Sequence, residues 1–138
     1  MVALLAAVPV WTLLVAGAAG ALRLPASPWQ WISLLLVQPV LEELVFRGVL
    51  QGQALRLLAR QCLPRRLGPI SWANLLVTFL FVALHLPSQP VGWGLSVAVP
   101  SLVLGHLRER FASVAPPMLA HAVYNAGFAV AALLGTAP

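Results

Sequence analysis

The sequence predicts an all-α fold: a polytopic transmembrane helix bundle of about five spans, forming a single integral membrane domain over residues 1–138. Three observations predict it. The chain of 138 residues is 61% hydrophobic and 8% charged, with a mean hydropathy of +0.94, whereas soluble domains carry about 25% charged residues. Apolar stretches near the ~20 residues that cross a bilayer recur at 3–22, 29–50, 70–87, 91–107 and 115–135. Every basic residue is an arginine, and the arginines are unevenly divided between alternate connections.

The first stretch, 3–22, ends in the small-residue run Ala16-Gly17-Ala18-Ala19-Gly20-Ala21. A signal peptide ends in this way too, but the stretch has no basic start and is longer than the usual h-region, so it is expected to be a retained helix. Leu24-Pro25-Ala26-Ser27-Pro28 is a turn, followed by the second stretch with Trp29 and Trp31 at its start. A polar connector from Arg56 to Pro69 leads to the third stretch, and the turn Pro87-Ser88-Gln89-Pro90 leads to the fourth. Gly94, Pro100 and Gly105 make the fourth the weakest spanner. A last turn, Arg108 to Pro117, precedes the fifth.

With five spans, Arg56, Arg60, Arg65, Arg66, Arg108 and Arg110 fall on one side of the membrane and Arg23 alone on the other. The positive-inside rule then puts the N-terminus in the cytoplasm and the C-terminus outside the cell membrane. Trp29, Trp31 and Trp93 fall at the outer interface, where indole rings settle. Arg56, Arg60, Arg65 and Arg66, interspersed with leucines, suit an amphipathic extension lying on the cytoplasmic surface.

The net charge of +5 is thus a signal of topology. Nucleic acid is excluded as a partner, because no solvated face interleaves basic, polar and aromatic residues. Cys62 is the single cysteine, which excludes an intrachain disulfide and a multi-thiolate metal site.

The intramembrane polar groups that could do chemistry are few: Glu42, Glu43, Arg47, His85, His121 and Asn125. An ionisable group at this depth costs on the order of 2.5–3.5 kcal/mol on insertion scales, and by default marks a functional site. Glu43 and Arg47 stand at i, i+4 with the glutamate first, the favourable order for an ion pair. Glu42 points about 100° away and need not share that arginine. His121 and Asn125, also at i, i+4, can bind a common oxygen or link two spans by a hydrogen bond. His85, one turn after Phe81, closes the third stretch. At about 1.5 Å per residue, these groups lie roughly 9–20 Å from the cytoplasmic ends of their spans, which favours a site in the cytoplasmic half.

Glu-Glu-x-x-x-Arg (Glu42, Glu43, Arg47), Phe-x-x-x-His (Phe81, His85) and His-x-x-x-Asn (His121, Asn125), in that order on successive helices, resemble the CPBP intramembrane proteases, the type II CAAX prenyl endopeptidase and bacterial Abi group. Arg47-Gly48 and Pro117-x-x-x-His121 add to the likeness, which covers about residues 29–130 and has the size of a minimal core. The resemblance implies a peptidase that hydrolyses a membrane-tethered protein or peptide by glutamate-activated water attack. Glu42 would be the general base, and His85 would hold the water with it. His121 and Asn125 would stabilise the oxyanion, while Glu43, Arg47 and Phe81 support the site. No cofactor is favoured, although Glu42, His85 and His121 could ligate Zn²⁺ in a metal-dependent variant of the same site. Two other classes compete: a non-catalytic scaffold or immunity-type protein keeping the fold, and a small transporter, for which no inverted repeat is visible. The sequence leaves open the substrate (prenylated tail, sorting tail or leader peptide) and the oligomeric state.

Overall fold

The structure is a computed structural model that describes residues 25–60 and 66–135. The expected span 3–22, Arg23, Cys62 and Arg65 lie outside the described residues. Helix α1 occupies residues 28–59, as α-helical Pro28–Ile32, Gln38–Glu43 and Gln51–Ala59 joined by two π-helical stretches, Ser33–Val37 and Leu44–Leu50. It starts where the Ser27 hydroxyl accepts the Gln30 N–H at 3.3 Å. Pro28 takes the first helical position, where its missing N–H costs nothing.

The second π stretch decides which way α1 points its polar residues. Residues four apart on an α-helix drift about 40° round the axis at each step. The π turn, bonded i to i+5, holds more residues per turn and opposes that drift. Pro39, Glu43, Arg47 and Gln51 thus stay on one buried row.

After α1 a short antiparallel hairpin pairs β1 (Arg66–Leu67) with β2 (Ile70–Ser71), Arg66 opposite Ser71, around Gly68 at φ +60°. Helix α2 (Trp72–His85) begins where the Ser71 hydroxyl accepts the Asn74 N–H at 2.9 Å. Its inward residues Asn74, Thr78, Phe81 and His85 follow a 4–3–4 spacing, one helical face. Helix α3 (Val91–Ser96), α4 (Ala98–Phe111) and α5 (Ala115–Gly135) complete the bundle.

Paired contacts give the directions. Arg47 meets Ser101 and Gln51 meets Gly105, a constant offset of 54, so α1 and α4 run parallel. Asn74 meets Leu102 while Ser71 meets Glu109, so α2 runs antiparallel to α4. Glu43 meets His121 and Leu34 meets Asn125, so α5 runs antiparallel to α1. Chain order and direction together describe an up-down-up-down bundle.

The all-α expectation holds for the described residues apart from the small hairpin. No helix among them is long and apolar enough to cross a membrane, so the count of five spans is not established by these helices. Element boundaries differ from expectation at three places. The fourth stretch splits at Val97 into α3 and α4, because Pro100 has no N–H with which to continue the ladder across the break. The connector 56–69 is shortened by the end of α1 and by the hairpin, in which Arg66 pairs with Glu109. The turn 108–117 is shorter as well, since α4 continues to Phe111 and closes on Ala112 at φ +49°.

Burial is inverted relative to a water-soluble fold. Glu43, Arg47, Gln51 and Ser101 are fully enclosed, whereas Phe79, Leu84 and Leu119 are among many large apolar side chains exposed. Among the described residues two small apolar clusters lie inside, one of Phe46, Val77, Phe81 and Val97, the other of Leu104 and Tyr124. The close approach of α2 and α4 depends on Gly105, where an added Cβ would fall inside the carboxamide of Asn74. Gly105→Ala is therefore expected to displace Asn74 from the Leu102 carbonyl (2.9 Å) and to cost about 1–3 kcal/mol, read as a lower midpoint of thermal unfolding.

Candidate active site

The site is assembled where α1, α2 and α5 meet. Glu42 follows Val40-Leu41 on α1 and precedes the buried row by one residue, so its side chain looks sideways into a cavity of about 660 Å³. His85, His121 and Asn125 line the same cavity, as do Gln38 and Phe81. All four expected catalytic residues, separated by up to 83 positions from Glu42 to Asn125 in the chain, thus face one space. An apolar wall of Trp93, Val97, Leu104 and Phe128 continues it, with the Trp93 and Phe128 rings 5.1 Å apart, and it reaches the turn at Ser88 and Pro90.

Glu43 sits directly behind the cavity and binds in two directions. Its Oε2 lies 3.2 Å from Arg47 Nε, an ion pair one helical turn long, and its Oε1 is 2.9 Å from His121 Nδ1. A carboxylate only accepts, so the proton of this bond sits on His121 Nδ1. The other ring nitrogen, Nε2, is 3.8 Å from Glu42 Oε2. Glu43 therefore does more than neutralise Arg47. It orients the imidazole that stands between the two glutamates.

His85 is fixed by the same logic. Its Nδ1 is 2.8 Å from the Phe81 carbonyl oxygen, which only accepts, so Nδ1 carries the proton and Nε2 is the acceptor of the neutral ring. Phe81 is the common packing partner: its ring centroid is 4.4 Å from His85, 4.9 Å from Phe46 and 6.3 Å from His121, and the Arg47 guanidinium lies 4.9 Å over it. Asn125 donates one N–H to the Leu34 carbonyl at 2.8 Å, tying α5 to the first π stretch of α1. A carboxamide nitrogen has two N–H groups, and this bond uses one of them.

Behind Arg47 runs a polar chain that the sequence motifs do not single out. Arg47 Nη2 donates to the Ser101 hydroxyl (2.9 Å) and carbonyl (3.1 Å), Ser101 donates to Thr78 (3.0 Å), and Thr78 to Asn74 (3.3 Å). Glu109 ends the array, accepting from Ser71, from Gln51 at 2.9 Å and from Arg66 at 2.8 Å. The sequence does carry a signal for it. Glu43, Arg47 and Gln51 repeat every four residues, and so do Ser101, Gly105 and Glu109, as two helices do when they pack in parallel register through polar rows.

Among the described residues no three His, Cys, Asp or Glu side chains form a group that could hold a metal ion. The Nδ1 bonds of His121 to Glu43 and of His85 to the Phe81 carbonyl leave each Nε2 free, as in a ligating histidine, but Glu42, His85 and His121 do not converge as a ligand set. The residues present, as arranged, do not fit zinc.

No curated protein and no solved structure matches the chain significantly. A family model described as type II CAAX prenyl endopeptidase Rce1-like matches residues 24–127, a range that contains α1 to α4, most of α5 and all four expected catalytic residues. The chain belongs to the type II CAAX prenyl endopeptidase Rce1-like family, a family of membrane-associated peptidases.

Proposed function

We propose that this protein is an intramembrane endopeptidase that hydrolyses a peptide bond of a membrane-tethered protein or tailed peptide with a water activated by Glu42. The observation that carries the reading is the convergence of Glu42, His85, His121 and Asn125, from three helices, on one cavity, with the imidazoles held at Nδ1 by the Phe81 carbonyl and by Glu43. Glu42 is the carboxylate not paired with an arginine, since Arg47 faces Glu43.

In this mechanism a water lies between Glu42 and the acceptor Nε2 of His85. Glu42 takes one of its protons as the oxygen attacks the scissile carbonyl carbon. The tetrahedral oxyanion forms beside the second Asn125 N–H, with His121, in its protonated form, donating from Nε2. Glu42 then returns its proton to the departing amine and the C–N bond breaks. The apolar wall of Trp93, Val97 and Phe128 suits the apolar tail of a tethered substrate.

The inverted burial supports a bilayer around the helices: lipid solvates the exposed Leu, Val and Phe side chains, and the polar rows find their partners inside. With the positive-inside orientation, the end bearing Arg56, Arg66, Arg108 and Arg110 faces the cytoplasm. Glu43 is then two turns inward from Gln51, which supports a site in the cytoplasmic half.

The test is cleavage of a library of membrane-tethered peptides by purified protein in bilayers. Wild type is expected to cut, and His85→Leu, at unchanged expression and helicity, to cut at least a hundredfold more slowly. Full activity in His85→Leu would overturn the assigned role of His85, and no cleavage of any tethered peptide by wild type would overturn the peptidase reading.

A further inference from the structure

A second cavity, of about 400 Å³, lies on the other side of α1 from the site, between α1 and α4. Its floor is Gly48 and Gly52, and a Cβ added at Gly52 would meet nothing within 4 Å. Arg56 and Arg108 flank it, and none of the three glutamates lines it. Arg108 is anchored: its Nε donates to the Arg47 carbonyl at 3.2 Å, which leaves its two terminal nitrogens for another acceptor. Two guanidiniums over a floor without side chains, with no carboxylate to neutralise them, form a receptor for a phosphate group.

The surface next to the cavity distinguishes a lipid phosphate from a free one. Val49 lines the cavity, and Val45 and Leu41 follow at four-residue intervals along α1, each at least half exposed. The wide π turn keeps Val45 and Val49 in line. This apolar track leads from the arginines toward the middle of α1 and has the chemistry of an acyl chain's seat.

We infer that the groove between α1 and α4 binds an anionic phospholipid, its phosphate on Arg56 and Arg108 above Gly48 and Gly52, and one acyl chain along Val49, Val45 and Leu41. The inference rests on the proposal that the protein is embedded in a bilayer. Basic pockets between membrane helices on the cytoplasmic side take anionic headgroups in this way. Because Arg108 also holds the carbonyl of Arg47, an occupant of the groove is coupled to the turn that carries the Glu43 ion pair.

The test uses the full chain inserted into bilayers of phosphatidylcholine alone or mixed with phosphatidylglycerol, followed by extraction and counting of retained lipid by native mass spectrometry. Wild type is expected to retain phosphatidylglycerol over phosphatidylcholine. Arg56→Gln and Arg108→Gln are each expected to weaken that preference about fivefold. Gly52→Leu, which keeps both arginines but fills the floor, is expected to weaken it too. Arg110→Gln removes an exposed arginine outside the groove and is expected to leave the preference unchanged. Equal losses in all three arginine variants, displacement of the lipid by millimolar inorganic phosphate, or no preference in wild type would each overturn the site. A protein that inserts into phosphatidylcholine without preferring phosphatidylglycerol sinks the lipid site alone. One that inserts into neither bilayer sinks the membrane reading with it.

Discussion

Glu42→Gln is expected to lower kcat for a tethered peptide by about 10²–10⁴-fold, the range a positioned general base contributes, with KM close to wild type. The substitution is isosteric, and the Glu42 side chain is about one-third exposed, with 3.8 Å to His121 Nε2 as its nearest ionic contact. Little folding energy is at stake, so the thermal midpoint is expected to move by no more than the scatter of ordinary surface substitutions, about 0.5 kcal/mol. This separates chemistry from scaffolding: a glutamine keeps the shape and the hydrogen bonds but cannot take the proton of water. Cleavage at wild-type rate in Glu42→Gln would remove the proposed mechanism.

The opposite profile is expected for Arg47→Leu. Both members of the Glu43–Arg47 pair are 0% exposed. Removing the cation leaves the carboxylate enclosed, and breaking a buried pair from one side costs about 3–5 kcal/mol. The Ser101 hydroxyl and carbonyl lose their donor at the same time. The double variant Glu43→Gln/Arg47→Leu, which has no buried charge left to desolvate, is expected to recover part of that loss and to fold better than Arg47→Leu. Unfolding midpoints in detergent for the four combinations check both statements. A double variant less stable than either single one would show that the pair is not coupled as drawn. Activity is expected to fall in every variant lacking Glu43, because His121 Nδ1 then loses the carboxylate that orients its ring.

Part of this arrangement is legible in the sequence alone. The spacing of Glu43 and Arg47 announces an ion pair, and the two form one. His121 and Asn125 at i, i+4 announce a shared face, and both turn toward α1. The isolated position of Glu42 follows from a rotation of about 100° per residue. The run of motifs in order points to the family, which the match over residues 24–127 shows. What stays hidden is equally specific. Glu109 reads in sequence as one more charge near Arg108 and Arg110, yet it is the acceptor on which Ser71, Gln51 and Arg66 converge. Gln51, Ser101, Thr78 and Asn74 are uncharged and buried, and the sequence hints at their array only through the four-residue repeats of Glu43, Arg47 and Gln51 and of Ser101, Gly105 and Glu109.

By itself the sequence determined the composition of the interior and the identity of the groups that can do chemistry: an apolar chain can hold so few ionisable residues that each must have a partner or a use. It determined the helical class and the one-turn pairings, because these depend on short-range periodicity. Only the tertiary structure decided that Glu43 serves His121 as well as Arg47, that α1 and α4 lie in parallel polar register, and that four residues from three helices share one cavity. The reason is physical. A period of about 3.6 predicts which residues of one helix face the same way, but the π turn at Leu44–Leu50 changes that period locally. Which helix then meets which face is set by close approaches such as Gly105 against Asn74, which are interactions between distant parts of the chain.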